Sequence, residues 1–419
     1  MKLHVRNIDI VLLAIVFAVG IFLRLTPQTF SPGATLHFLA PLHPQPGWTK
    51  IGFDEGLYRE YVNALSKGGL GAYPEIVQGY IDIQKELPGS ILPPLRFLYI
   101  FTAYLWHSLF GSEALDALHQ VAAFFSMLTL ALAAVFVLRI RGPTWAVAIA
   151  ALVAIAPTQL HMSQHALVDG FFTFWALLVL WLFWENSQAP RDWRWLVSYI
   201  IALALMVLTK ENSFFVWVAL VVLLVTNRWL QFGTVTRELV IATLLGPLLG
   251  VVVLIFLAGG MDVFVQSYQL SVGKNFQLHY AILTGDGPWY RYLIDLLLVS
   301  PIVLILALGT IFRLNRTMKP ELFMSIFIAA SYLVMCNVKY GMNLRYANMW
   351  DLPLRFLAFS EIVALASWAK KYRGAIITTA VALLAAIEFH QYIVLAVRYP
   401  LYELITHDLL EALQILKSP

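Results

Sequence analysis

A single cysteine, Cys336, stands in 419 residues, so no disulfide can form within the chain, and a thiolate metal cluster is argued against. Charge is scarce as well. Asp, Glu, Lys and Arg make up only 12% of the sequence, against 60% hydrophobic residues. A water-soluble domain cannot keep that much apolar side chain out of water, whereas a polytopic membrane protein needs it. No internal repeat, low-complexity linker or appended soluble domain is discernible. Nothing resembles a nucleic-acid-binding motif, and membrane topology explains much of the net charge of +4.

What the chain does contain is apolar runs. The first, Ile8 to Leu25, follows a basic start (Lys2, Arg6) and no small-residue cleavage site follows it, so it reads as a retained span. Others lie near 117–138, 144–160, 166–184, 196–209, 213–226, 239–258, 292–312, 322–338, 352–369 and 374–394. At ~20 residues per crossing they predict an all-α polytopic bundle of about eleven transmembrane helices, one domain over 1–419. The run Ile91 to Phe110 opens with Leu92-Pro93-Pro94-Leu95-Arg96 and holds His107. It reads as an interfacial or re-entrant helix that does not cross.

Charge placement supports that choice. With the run kept on one side, one set of short loops holds Lys2, Arg6, Arg139, Arg141, Arg191, Arg194, Arg228, Arg237, Arg313, Arg316, Lys319, Lys370, Lys371 and Arg373. These are half of the 28 Lys and Arg. The positive-inside rule puts this set, with the N-terminus, in the cytoplasm. The opposite, exoplasmic face then collects Asp54, Glu55, Asp169, Lys210, Glu211, Asp262, Lys274, Asp286 and Arg345. It also carries the long loops 26–116 and 259–291 and the tail 395–419, whose end from Tyr399 reads as an amphipathic helix on the outer surface.

On that face Asp54-Glu55 opens a segment whose apolar positions Leu57, Tyr58, Tyr61, Val62 and Leu65 recur at helical spacing up to Gly68-Gly69. Either acid suits a helix cap. A carboxylate held at the lipid–water boundary also suits a general base. The stretch Ser163 to Asp169 brings an Asp into an aromatic-rich span, which is expensive without a partner or a task. His161, His165 and Asp169 fall at i, i+4 and i+8, a spacing that would hold a divalent metal on one helix face, although hydrogen-bonded interfacial histidines are commoner. Thr209-Lys210-Glu211 and Asn343-Leu344-Arg345-Tyr346 place cations on the same face. Each is either a snorkelling anchor or a grip on a phosphate-bearing lipid, for which Arg is well shaped. The loop from Gly259 to Arg291, with aromatics among Lys274 and His279, reads as a lid over a lipid or as interfacial packing.

Taken in order, these pieces resemble the GT-C superfamily of membrane glycosyltransferases, especially the protein O-mannosyltransferase and lipid A aminoarabinose transferase branch (glycosyltransferase families 39 and 83). Gly52-Phe53-Asp54-Glu55 with Tyr58 is similar to the Asp-Glu motif of the first exoplasmic loop. Pro93-Pro94-Leu95 with Leu109-Phe110-Gly111, Ser163 to Asp169, Leu208-Thr209-Lys210 and Arg345-Tyr346 follow in family order. Three positions depart: Gln164 replaces the motif's Arg, Leu57 stands where the aminoarabinose branch is basic, and Leu92 replaces that branch's Lys.

The resemblance implies a GT-C-like bundle in a bacterial or archaeal cell membrane, working in glycan biosynthesis. It further implies transfer of a hexosyl or pentosyl group from a polyprenyl monophosphate carrier to a lipid, protein or glycan acceptor, with inversion. Asp54 would be the base, supported by Glu55, with Asp169 orienting the acceptor or holding a cation. Arg345, Lys210 and Tyr346 would bind the donor phosphate, and Tyr58, His165, Lys274 and His279 would line the acceptor side or the lid. With cations supplied by side chains no cofactor is required, a divalent metal being the alternative. The rival class is a membrane transporter or lipid flippase, which favours inverted repeats and midplane ions. A non-catalytic subunit keeping the fold is a third.

Overall fold

The computed structural model describes residues 6–44, 52–399, 403–405 and 407–415. Lys2, residues 45–51 of the first long loop, and 400–402, 406 and 416–419 of the tail lie outside them. Every regular element among the described residues is helical. The chain runs through α1 (Asn7–Arg24), α2 (Phe53–Gly68), α3 (Tyr73–Glu86), α4 (Phe97–Phe110), α5 (Ala114–Arg141), α6 (Pro143–Ala154), α7 (Pro157–Ser163), α8 (Val168–Gln188) and α9 (Trp193–Val207). It continues through α10 (Ser213–Leu230), α11 (Arg237–Leu257), α12 (Met261–Asn275), α13 (His279–Thr284), α14 (Arg291–Val299), α15 (Pro301–Phe312), α16 (Lys319–Met335), α17 (Asp351–Ala366), α18 (Arg373–Tyr392) and α19 (His407–Ala412).

Each apolar run of the sequence is helical. By length and composition α1, α5, α8, α10, α11 and the α18 region, 370–398, are long and apolar enough to cross a membrane, and the bent pair α6–α7 makes a seventh. Two predicted spans are interrupted. The run near 144–160 bends by 58° between α6 and α7, and that near 292–312 breaks at Ser300. Among the described residues of the tail from Tyr399, the expected single amphipathic helix is interrupted: residues 403–405 are irregular and helix runs over His407–Ala412.

The loop after α1 folds into α2, α3 and α4 around its own core of Tyr58, Val62, Leu65, Tyr73, Val77, Ile81, Tyr99 and Ile100. Helix α2 stops at Gly69, whose φ of 65° is the left-handed conformation that glycine adopts freely. The two prolines before α4 offer no N–H but leave strong acceptors, and Tyr61 and Tyr73 satisfy them by donating to the carbonyls of Leu92 and Pro94.

The bundle is fastened differently at its two ends. Where α5 and α8 finish, Arg139 grips Glu185 through Nε at 2.8 Å and Nη2 at 2.6 Å. Arg141 meets Glu321 at the start of α16, and Arg313 after α15 meets Glu361 of α17 at 2.6 Å. These pairs absorb part of the basic set that charge bias assigns to one side. Of the acids and cations assigned to the other side, Asp54, Asp169, Lys210 and Arg345 gather at the far end of the bundle.

Between the ends, the bend in α6–α7 is stabilised by buried arginines. A helix that stops inside a bundle leaves its last carbonyls without partners, at a cost where water is excluded. Arg24 donates to the carbonyls of Ala154 (2.7 Å) and Val153 (3.0 Å), and Arg355 donates to that of Leu152 (3.1 Å). Arg355 is itself held by Asp351 at 2.7 Å and by Glu388. Replacing Arg355 by Met would strand two buried carboxylates. A loss of about 3–5 kcal/mol is expected, measured as a lower melting temperature of the detergent-solubilised protein, and an unchanged melting temperature would contradict this role.

Candidate active site

Asp54 and Glu55 are both in the first turn of α2, where the helix dipole favours anions, but they face different ways. Glu55 is the cap. Its Oε2 accepts from Gly52 N–H at 3.0 Å, and its Oε1 accepts from Ala166 N–H at 2.8 Å, joining α2 to the turn before α8. His165 Nδ1 lies 3.4 Å from the same oxygen. Burial pushes the Glu55 carboxyl up, but His165 and the Ala166 N–H more than offset it and hold it at about 2, below its ordinary 4.5.

The folded form holds the proton more weakly than the unfolded chain, so this stabilisation is complete above about pH 4.5 and is lost as pH falls towards 2. It amounts to on the order of 3 kcal/mol. Wild-type protein in detergent is therefore expected to lose more melting temperature than Glu55→Gln between pH 6 and pH 3. Parallel curves would show that Glu55 is not the group responsible.

Asp54 points instead to Arg345, which sits in the tight helical turn Leu344–Trp350 ahead of α17. Arg345 Nη2 donates to Asp54 Oδ2 at 3.2 Å. Its Nε lies 3.8 Å from Asp169 Oδ2, and its Nη1 lies 3.5 Å from Glu403 Oε1. Asp169, in the first turn of α8, is bound at 2.5 Å by Lys210 Nζ from the α9–α10 turn. Tyr346 lies beneath both cations, its ring centroid 3.9 Å from Lys210 Nζ and 5.5 Å from Arg345 Cζ.

Exposure separates the members. Asp54 keeps 20% of its side-chain surface, whereas Asp169 keeps 4% and Arg345 9%. Burial works against the Arg345 charge, but Glu403, Asp54 and Asp169 outweigh it and raise its pKa far above the ordinary value. The guanidinium is a permanent cation, and its buried Nε and Nη1 have no hydrogen-bond partner among the described residues. These two donors lie on different edges of the planar group, each able to receive an anion's oxygen.

A second ion pair braces the cluster. Arg96, just before α4, donates through Nε to Glu211 Oε2 at 3.2 Å and through Nη1 to the Tyr58 hydroxyl at 2.8 Å. It thereby links α2 to the residue after Lys210. The Leu98 N–H donates to the Leu208 carbonyl at 2.9 Å, fixing the same two segments through their backbones.

The remaining candidates stand elsewhere. Tyr58 is buried against Arg96. Lys274 donates to the carbonyls of Gln84, Lys85 and Leu87, capping the end of α3. His279 is exposed at the start of α13. The metal-ligand spacing does not hold: α7 ends at Ser163 and α8 begins at Val168, so His161, His165 and Asp169 do not share one helix face. Among the described residues no three His, Cys, Asp or Glu are grouped as metal ligands. The segment 259–291 forms α12 and α13, with α12 lying against α3 and exposing Met261 and Tyr268, and Phe276 exposed just after it.

Two contributors escape sequence reasoning. Arg96 carried a signal, a charge at the head of an otherwise apolar helix, which calls for a partner. Glu403 carried none, because it is one of three acids, with Asp408 and Glu411, in an amphipathic tail.

A polytopic helical bundle with carboxylates and cations gathered at one end is the class that fold and site define together. Residues 103–264 match the model of the dolichyl-phosphate-mannose-protein mannosyltransferase family. The matched stretch includes Asp169 and Lys210 but not Asp54 or Arg345. No curated protein sequence matches the chain. Among solved structures, ArnT from Cupriavidus metallidurans in the apo state is similar with a TM-score of 0.52 at 18% identity over 92% of this chain, which spans 64% of that one. The same protein bound to undecaprenyl phosphate gives 0.53 at 16% identity, over 92% of this chain and 75% of that one. The Archaeoglobus fulgidus oligosaccharyltransferase in its apo form gives 0.61 at 13% identity, over 94% and 56%. The chain has the fold of the GT-C superfamily of membrane glycosyltransferases.

Proposed function

We propose that this protein transfers a sugar from a polyprenyl-phosphate-linked donor to an acceptor hydroxyl on the outer face of the membrane, with inversion. The observation that carries the reading is the pairing of Asp54 with Arg345, a partly exposed carboxylate on a buried guanidinium whose Nε and Nη1 make no hydrogen bond among the described residues. The ArnT structure that holds undecaprenyl phosphate supports a phosphate-bearing lipid as the occupant.

In this mechanism the donor phosphate docks on Arg345, with Lys210 close by on Asp169. Asp54 accepts the proton of the acceptor hydroxyl as its oxygen attacks the anomeric carbon. The bond from that carbon to the phosphate oxygen breaks on the opposite face, and its electron pair leaves on polyprenyl monophosphate. A phosphate is a good leaving group and needs no acid, so one base suffices. Arg345 and Lys210 stabilise the charge that grows on the departing oxygen. Asp169 keeps Lys210 in place, and Glu55 fixes the first turn from which Asp54 projects. The positive-inside rule favours the cytoplasm for the end that carries the basic pairs, and the reading takes the acidic end as exoplasmic.

The test is mass spectrometry of glycolipids and glycoproteins from cells with and without the gene. Loss of one hexose or pentose from a single acceptor class is expected, and it would identify donor and acceptor together. An unchanged glycan inventory, with the protein expressed, would refute the reading.

A further inference from the structure

The anion position on Arg345 is already filled by the chain itself. Glu403, from the irregular stretch after α18, brings Oε1 to 3.5 Å from Arg345 Nη1. It is fixed there by neutral donors from two other segments: Tyr280 of α13 donates to Oε1 at 2.9 Å, and Asn343 Nδ2 donates to Oε2 at 3.0 Å. The side chain of Asn343 also accepts from the Arg345 N–H at 3.0 Å, so the same residue shapes the turn that presents the guanidinium.

Two cations, Arg345 and Lys210, thus face three carboxylates, Asp54, Asp169 and Glu403. A phosphate added to this set would bring a fourth anion into a largely buried cluster, which electrostatics opposes unless one carboxylate departs. The three are not equally free to go. Asp169 is bound to Lys210 at 2.5 Å and is only 4% exposed. Asp54 is in the first turn of α2, whose register Glu55 locks. Glu403 lies outside any helix, is 16% exposed, and holds Arg345 at ion-pair distance without a hydrogen bond.

We infer that Glu403 is a placeholder for the donor phosphate: its carboxylate occupies the anion position on Arg345 in the resting protein and withdraws, with its stretch of tail, when the lipid-linked donor binds. This rests on the reading of Arg345 as the phosphate ligand. Displacement frees Nη1 for a phosphate oxygen and breaks the Tyr280 contact, so binding of the donor also releases α13 from the tail. Glu403 would therefore set donor affinity without touching the reacting atoms.

The test is binding of undecaprenyl phosphate to the purified full-length protein in detergent, for wild type, Glu403→Gln, Tyr280→Phe and Arg345→Gln. Glu403→Gln keeps the shape and removes the competing charge, and should bind roughly tenfold more tightly than wild type. Tyr280→Phe, which removes one tether, should move in the same direction by less. If Arg345→Gln weakens binding while Glu403→Gln binds no better than wild type, the placeholder role is wrong and the phosphate site stands. If no variant binds the lipid, or binding ignores Arg345→Gln, the phosphate site itself is wrong and the placeholder falls with it.

Discussion

Asp54→Asn is expected to lower the transfer rate by ~10²–10⁴-fold, the range a positioned general base contributes, while leaving the protein folded. The reasoning is geometric. The helix-capping work at the start of α2 is done by Glu55, through Gly52 and Ala166, so α2 does not depend on the Asp54 charge. Asparagine keeps the size of the side chain and an oxygen that accepts from Arg345 Nη2, but it cannot take a proton. Activity and folding should therefore separate. The check is the transfer rate in isolated membranes, set beside the elution profile and melting temperature of the purified variant. A variant that is both well folded and fully active would remove Asp54 from the chemistry. Asp54→Glu retains a base but moves it by about one carbon–carbon bond, and a partial loss is expected from misplacement.

The second large effect is expected at Arg345, where substitution by Gln should cost ~10²–10³-fold in rate, the scale seen when one preorganised donor to a developing oxyanion is removed. Arg345→Lys separates charge from shape. Lysine keeps the cation but loses the planar group, so a single ammonium can no longer hold Asp54, as Nη2 does, while a separate N–H at the Nη1 position receives an incoming anion. It should recover part of the donor affinity and little of the rate, a KM-against-kcat split that a purely structural residue would not produce. Because Arg345 is buried among three carboxylates, Gln will also lower stability, so rates are to be compared per folded molecule. Equal rates for Lys and Arg would show that the planar group has no role.

Much of this arrangement was readable from residue order. The helical face from Leu57 to Leu65, the stop at Gly68-Gly69 and each apolar run produce helices because spacing and hydrophobicity are local properties. The charge bias of the loops anticipated the two chemically distinct ends, with Arg139, Arg141 and Arg313 at one and Asp54, Asp169, Lys210 and Arg345 at the other. Pairings across the bundle were not readable. Arg355 and Glu361 share a helix six residues apart, and sequence offered no way to see that Arg355 reaches Glu388 of α18 and Glu361 reaches Arg313. Nor could it separate cap from base in Asp54-Glu55, because both acids favour a helix N-terminus and the distinction lies in Ala166, 111 positions away from Glu55. The bend at Ile155-Ala156 was hidden because the arginines that stabilise it come from α1 and α17.

The most direct measurement is the ratio of sugar-loaded to free polyprenyl monophosphate in membranes of cells expressing wild type or Asp54→Asn. With wild type the loaded carrier should be consumed and free polyprenyl monophosphate released. With Asp54→Asn the loaded form should accumulate to the level seen without the gene. An identical ratio for the two proteins, at equal expression, would contradict sugar transfer by this carboxylate and cation cluster.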